Sequence, residues 1–199
     1  KGPKHGLMLF EKLLSHLRQI GARRLESFAL MSLGKLYEKC GDQEQAIHYH
    51  QLALEANQDV RHRNNEAACL GELALLYARK QQFRQAIEAC ERALVIDREL
   101  GNRFGHAHRL MVLGLIYLAN NDLDTAIDMA QRALTLYQSL QYSDGISLSQ
   151  GLCGMVWAKR ALGKDLTQAA RSSHTLENAI GFFDNALDVQ QASQQLPYL

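Results

Sequence analysis

An aromatic residue returns at positions 37, 77, 117 and 157 (Tyr, Tyr, Tyr, Trp), a beat of forty residues that never drifts. Around it lie four stretches that align without a gap: Ser32-Leu-Gly-Lys-Leu-Tyr37, Glu72-Leu-Ala-Leu-Leu-Tyr77, Val112-Leu-Gly-Leu-Ile-Tyr117 and Leu152-Cys-Gly-Met-Val-Trp157. Ala-Ile follows each of the first three at 46–47, 86–87 and 126–127, and Ala-Leu follows again at 53–54, 93–94 and 133–134. Small residues keep time at Ser27, Ala67, Ala107 and Ser147, and a further ladder runs Ile20, Val60, Leu100, Leu140, Ile180. Coincident ladders at one period specify a stack of equal units, each burying its apolar side only against the next.

Each unit reads as two helices. Leu30, Leu33, Gly34 and Tyr37 follow the i, i+3, i+4, i+7 spacing of one helical face, and so do Ala46, Tyr49, His50 and Ala53. Between the helices lie the breakers Gly41-Asp42, Gln81-Gln82 and Asn121-Asp122, where Asp42 and Asp122 suit the capping of the next helix. Small residues at Gly34, Ala46, Ala53 and their copies let two helix backbones approach, and the aromatic fills the angle between them. With 47% hydrophobic residues and a net charge of +1, the chain is not disordered. No apolar run approaches the ~20 residues of a membrane helix. The opening Lys1-Gly2-Pro3-Lys4 has no Met and no apolar leader, which reads as the start of a fragment.

The pattern Leu-Gly-x-x-Tyr, Ala nine residues later, Ala seven after that, resembles the tetratricopeptide repeat. The resemblance covers residues 7–181 and implies an all-α, right-handed superhelical solenoid of helix-turn-helix units. The family's commonest unit is 34 residues and often closes on Pro; here the unit is forty, with Gln58, Arg98 and Gln138 at that place. The longer unit is similar to those of G-protein signalling modulator scaffolds and of bacterial regulators that sense peptides or nucleotides. In this frame the whole chain, 1–199, is one solenoid. Residues 7–21 are the second helix of a preceding unit, 22–61, 62–101 and 102–141 are units one to three, 142–181 is a degenerate fourth and 182–199 a capping helix. Leu166 and Ser173 mark the degeneration, Gly181 closes that unit, and Phe182, Phe183, Ala186 and Leu187 form the cap's apolar side before Pro197.

Catalytic and metal signatures are missing. His48-x-His50 and His106-x-His108 place their rings about 200° apart on a helix, so neither pair chelates from one face. The cysteines Cys40, Cys69, Cys90 and Cys153 form no C-x-x-C pair and read as reduced structural thiols, which fits a cytoplasmic protein. Gly101-Asn-Arg-Phe-Gly105 follows a helix instead of a strand, so it is a repeat linker and not a phosphate loop. The reading is therefore no enzyme, no metal and no cofactor.

The resemblance also implies that first helices line a concave wall. Its expected residues are Phe28, Met31, Ser32, Lys35, Glu38 and Lys39 in unit one, and Ala68, Gly71, Glu72, Leu75, Ala78 and Arg79 in unit two. Unit three adds His108, Met111, Val112, Leu115, Leu118 and Ala119, and unit four Leu148, Gly151, Leu152, Met155, Ala158 and Lys159. The carboxylate clamp of chaperone-binding members is largely missing, because Ser32, Glu72 and Val112 stand where its Asn is expected. The polar hooks are Lys35, Lys39, Arg79 and Lys159, opposed by Glu38 and Glu72. A groove of this kind suits an amphipathic helix or extended peptide with some acidic residues, the methionines adapting to its apolar side.

Three partner questions stay open at this point. Arg23-Arg24, Arg61-His62-Arg63 and Arg103 would form a basic ridge along the turns, read as a solvated rim or a docking edge for an acidic domain and not as a nucleic-acid surface, since base-stacking aromatics are few. Residues 1–24 hold six Lys/Arg against one acid, and Leu7, Phe10, Leu13 and Leu14 are expected to lie uncovered, which allows self-association. Two functions compete: an interaction scaffold within a larger regulatory protein, or a ligand- or peptide-sensing domain of a bacterial transcriptional or nucleotide-hydrolysing regulator.

Overall fold

Left-handed backbone recurs every twenty residues, at Gly21, Gly41, Arg61, Gln81, Gly101, Asn121 and Gln141, with φ between 54° and 81°. In this computed structural model, which describes residues 3–162 and 181, those seven positions close seven helices. They are α1 (Pro3–Gln19), α2 (Arg23–Lys39), α3 (Gln43–Asp59), α4 (Arg63–Arg79), α5 (Phe83–Glu99), α6 (Arg103–Ala119) and α7 (Leu123–Ser139); α8 spans Ser143–Leu162. No strand occurs among the described residues. The expectations placed on residues 163–180 and 182–199 lie outside them.

The stops are made by main-chain bonds. The Gly41 N–H donates to the Glu38 carbonyl and the Asp42 N–H to the Tyr37 carbonyl, at 3.0 Å each. His62, Gln82, Asp122 and Tyr142 repeat the longer bond onto Asn57, Tyr77, Tyr117 and Tyr137. A left-handed residue turns the chain so that these donors reach back over the last turn. The next helix begins two residues later. Its free N–H groups are met by Asp42, His62, Asn102 and Asp122, which accept from Gln45, Asn65, Gly105 and Thr125. Ala22 and Gln82 occupy the same place without a side-chain bond.

This geometry places one ladder at the turns. Val60, Leu100 and Leu140 are helix C-caps, and Leu100 is 44% exposed while Ile20 is 61% exposed. They mark the turn, where one side of the residue faces water; they are not core.

The chain divides into two compact units, 1–100 and 101–199. In the first, α2 packs on α3 and α4 on α5, while α1 leans on α2 and α3 on α4. One core cluster joins Leu14, Leu17, Leu30, Leu33, Ala53 and Cys69; another joins Ala46, Ile47, Leu73 and Leu76. Each large aliphatic hidden this way contributes about 1.5–3 kcal/mol relative to exposure. Leu14, expected to be uncovered, is 6% exposed because it faces α2. In the second unit α6 packs on α7, and α8 contacts both. Leu110, Leu113 and Ile116 of α6 are buried with Leu152 and Val156 of α8. Ala126, Ala130 and Ala133 of α7 are fully buried and permit the close approach.

The repeated aromatics are half-buried. Tyr37 stacks on Tyr49 with centroids 5.2 Å apart and donates to Glu11 at 3.0 Å. Tyr77 accepts at its hydroxyl from Gln51 at 2.9 Å.

Candidate functional site

In the first unit four of the expected wall residues meet between α2 and α4. Lys35 Nζ lies 3.4 Å from Glu72 Oε1, and Arg79 pairs with Glu38, so two ion pairs cross between the helices. Met31 and Leu75 are half-buried beside them, and Lys39 is exposed. Exposed pairs of this sort contribute only about 0–1 kcal/mol, so a partner carrying carboxylates can recruit Lys35 or Arg79 at little cost. Gly71, expected on the wall, is buried.

Two polar side chains lie beneath that face. His50 is fully buried, its ring seated in the notch left by Gly34, and neither ring nitrogen has a hydrogen-bond partner. Burial pushes its pKa down, Lys35 adds to this, and Glu72 and Glu38 oppose it. The imidazole is thereby held neutral. Asn57 donates to the Ala53 carbonyl at 2.7 Å and reaches Cys69 Sγ at 3.6 Å and Met31 Sδ at 3.9 Å, while its Oδ1 is buried without a partner. The Cys69 thiol is pushed up to about 12, chiefly by burial, which makes it a poor nucleophile. Cys153 is likewise raised to about 11. The spacing put His50 on the face of Ala46, Tyr49 and Ala53 and gave it a metal reading only as half of a pair; His48 is exposed and His50 buried.

The second unit presents a different face. His108, Leu115 and Leu118 are half-buried, Met155 is 43% exposed and Leu148 is 58% exposed. Met111, Val112 and Leu152, expected on the wall, are buried at 9%, 1% and 1%. Met111 and Val112 lie on α6, which packs against α7 and α8, and Leu152 lies on α8, which packs against α6 and α7. Lys159 does not stand as a loose hook, since its Nζ donates to the Leu118 carbonyl at 2.9 Å, among the last carbonyls of α6. Arg160 lies 5.2 Å over Trp157 and pairs with Asp124.

The turn cations are largely engaged. Arg23 meets Glu26, Arg63 meets both Glu66 and Glu99, and Arg103 donates to Ser139. Burial alone would raise the Glu26 carboxyl, but hydrogen bonds from Arg18 and Arg23 hold it below the ordinary range. Arg23 and Arg63 of the ridge are thus held in ion pairs and Arg103 in a hydrogen bond.

Tetratricopeptide repeat models match residues 29–63 and 65–139. No curated protein sequence matches the chain. Among solved structures, BtubC (BKLC) from P. vanneervenii superposes with a TM-score of 0.81 at 19% identity, covering 99% of this chain and 76% of that one. A signal transduction ATPase with numerous domains and a tetratricopeptide repeat sensor, from Pyrococcus horikoshii, gives 0.73 at 22% identity, with 98% of this chain and 29% of that one covered. The apo form of RapI gives 0.76 at 14% identity, over 92% and 47%. At such identities the likeness speaks for the fold, an all-α repeat of helical hairpins. No helix among the described residues is long and apolar enough to cross a membrane.

Proposed function

Since the chain belongs to the tetratricopeptide repeat family, we propose that it is a non-catalytic interaction scaffold whose first-helix faces hold a peptide or helix of a partner protein. The observation that carries this reading is the α2/α4 face, where Met31 and Leu75 lie beside the crossed pairs Lys35–Glu72 and Arg79–Glu38. Apolar contacts there supply most of the affinity, and the charges set orientation and encounter rate. In the second unit the matching contribution comes from Leu115, Leu118 and Met155, with His108 at the edge.

Affinity capture from source-cell lysate tests the reading, comparing wild type with a Leu75→Asp, Met155→Asp variant. Both positions are at least partly open, so helicity by circular dichroism should stay near wild type while the captured partner is lost. Unchanged capture by a folded variant rejects the faces. Met111 is unsuitable for this purpose because it is buried.

The second reading is a sensing domain within a larger regulator, favoured by the likeness to the repeat sensor of the Pyrococcus ATPase. It requires a small ligand or short peptide to bind the isolated chain and shift its conformational equilibrium. Scattering profiles that do not change in any ligand mixture giving thermal stabilisation would remove it.

A further inference from the structure

The α2/α4 face has a polar layer beneath it. α3 packs on both α2 and α4, and from it the His50 ring lies against Gly34 of α2, 0% exposed, with no partner for either nitrogen. Packing alone does not call for an imidazole at this slot, since the next hairpins fill it with Cys90 and Ala130, both fully buried. A buried ring without partners is unfavourable in the resting state. What it adds is a group that gains a charge and a second N–H donor in mild acid.

The charges above the ring are ordered by depth. In each crossed pair the carboxylate is the inner member: Glu72 and Glu38 are 28% and 23% exposed, whereas Lys35 and Arg79 are 54% and 52% exposed. Glu38 stands one turn beyond Gly34 on α2. Burial is the largest influence on the ring and keeps it neutral; Glu72 from α4 and Glu38 from α2 favour its charged form, and Lys35 from α2 opposes it. The other titratable groups near α3 stay protonated, because the Tyr37 hydroxyl and the Cys69 thiol are each pushed up to about 12. Two carboxylates therefore lie between a ring that can become a cation and two cations that reach into water. Pairs whose cation is half in water hold weakly, so the carboxylates can change partner.

We propose that the face performs an acid-operated charge exchange: when His50 takes a proton from solvent, Glu38 and Glu72 accept from its ring N–H groups and release Arg79 and Lys35 outward. The four charges of the face balance at neutral pH, and with the protonated ring the set carries one net positive charge. The use of this exchange rests on the proposed role of the face. A partner segment bearing Asp or Glu takes the released cations, so it is held more tightly in acid, and its binding draws a proton onto His50 in return. Affinity rises as pH falls, by at most about tenfold per pH unit for one proton.

The probe is the proton itself, read on the free chain by NMR: the His50 ring between about pH 8 and 4.5, with the side-chain nitrogens of Lys35 and Arg79. Glu38→Gln with Glu72→Gln should lower the proton affinity of the ring about tenfold, and Lys35→Gln with Arg79→Gln, which frees the carboxylates, should raise it about tenfold. In the wild type the Lys35 and Arg79 signals should move at the His50 midpoint, and in His50→Cys that movement should vanish. Equal ring titration in the two charge variants overturns the proposal, as does a ring that stays neutral throughout without Lys35 and Arg79, or cations that move alike with and without the ring. The charge variants, at positions open to water, decide the matter even where His50→Cys does not fold. None of these readouts needs a partner, so the exchange can fail while the Leu75/Met155 variant still loses capture, and can hold while capture is unchanged.

Discussion

The two units fill the same repeat slots with opposite chemistry. In the first, the buried set includes Glu26, Ser27, His50, Asn57, Glu66 and Asp97; in the second, among the described residues, Ser149 is its polar member. The slot of Asn57 and Asp97 is held in the second unit by Tyr137, 2% exposed, and the slot of His50 by Ala130. Glycine notches follow the filler. The His50 ring lies where a Cβ on Gly34 would come within 2.7 Å, whereas the Tyr137 ring lies 2.4 Å from a Cβ on Gly145. The unit whose core is built on Tyr137 buries few whole polar side chains and the other buries several, although both hold single buried polar atoms without a hydrogen-bond partner, such as His50 Nε2 in the first and Trp157 Nε1 in the second. A repeat fixes where a side chain is buried and leaves its chemistry free, provided a neighbour yields the volume.

The sharpest way to break that comparison is to fill the notches. Gly145→Ala should cost about 3 kcal/mol and Gly34→Ala about 2 kcal/mol, read as lower urea midpoints, since overpacking against a rigid ring forces backbone shifts. Gly34→Ala combined with His50→Cys should recover most of the loss, because it copies the Ala74/Cys90 pair already present in the next hairpin. A Gly34→Ala protein as stable as wild type would remove the notch account.

Acid should separate the units next. His50 has its pKa lowered from 6.5 in the folded chain, so the unfolded chain binds the extra proton. Stability is therefore full above the unfolded value and falls as pH drops below it, with a slope bounded by about 1.4 kcal/mol per pH unit for one proton. Between about pH 7 and 5 the midpoint of the wild type should fall more steeply than that of His50→Cys. Parallel curves would show that the buried ring carries no pH cost. The Glu26 carboxyl, held low by its arginines, contributes the same sign only at more acid pH, below its ordinary 4.5.

Smaller effects test the turns, which the two units share. Gln82→Asp should stabilise by about 1 kcal/mol, since this N-cap has no side-chain bond where Asp42 and Asp122 have one. Arg61→Gly should gain about 0.5 kcal/mol, because φ is 54° there and the residue is exposed. A loss of stability in either variant, measured by the same urea titration, would mean that these side chains hold contacts beyond the turn.

Much of this could be read from the residues in order. The forty-residue beat gives helical hairpins because a 3.6-residue period and a fixed repeat put Leu30, Leu70 and Leu110 at the same slot of successive hairpins, where each must be hidden. Asp42 and Asp122 declare themselves as caps by chemistry and position. The ladder Ile20, Val60, Leu100, Leu140 shows its period in the sequence but not its place, since apolar character alone does not separate a core residue from a C-cap. Arg61, Gln81 and Gln141 give no sign of their left-handed backbone, as glycine does at 21, 41 and 101. Periodicity put Lys35, Glu38, Glu72 and Arg79 at positions whose side chains pair between α2 and α4, but it could not tell that Met111 and Val112 are covered.

What the sequence determined by itself is the number of residues per hairpin, the helix type and the slots that must be apolar or small, because these follow from local backbone geometry and burial. What only the tertiary structure decided is which atom enters each notch and which charge finds which partner. Gly34 and Gly114 look alike in sequence, yet a Cβ on the first would meet the His50 imidazole and a Cβ on the second would come within 2.9 Å of the Leu152 side chain. Lys35 meets Glu72 across thirty-seven residues for the same reason: distances between side chains on different helices are set by how the helices pack, and no local rule contains them.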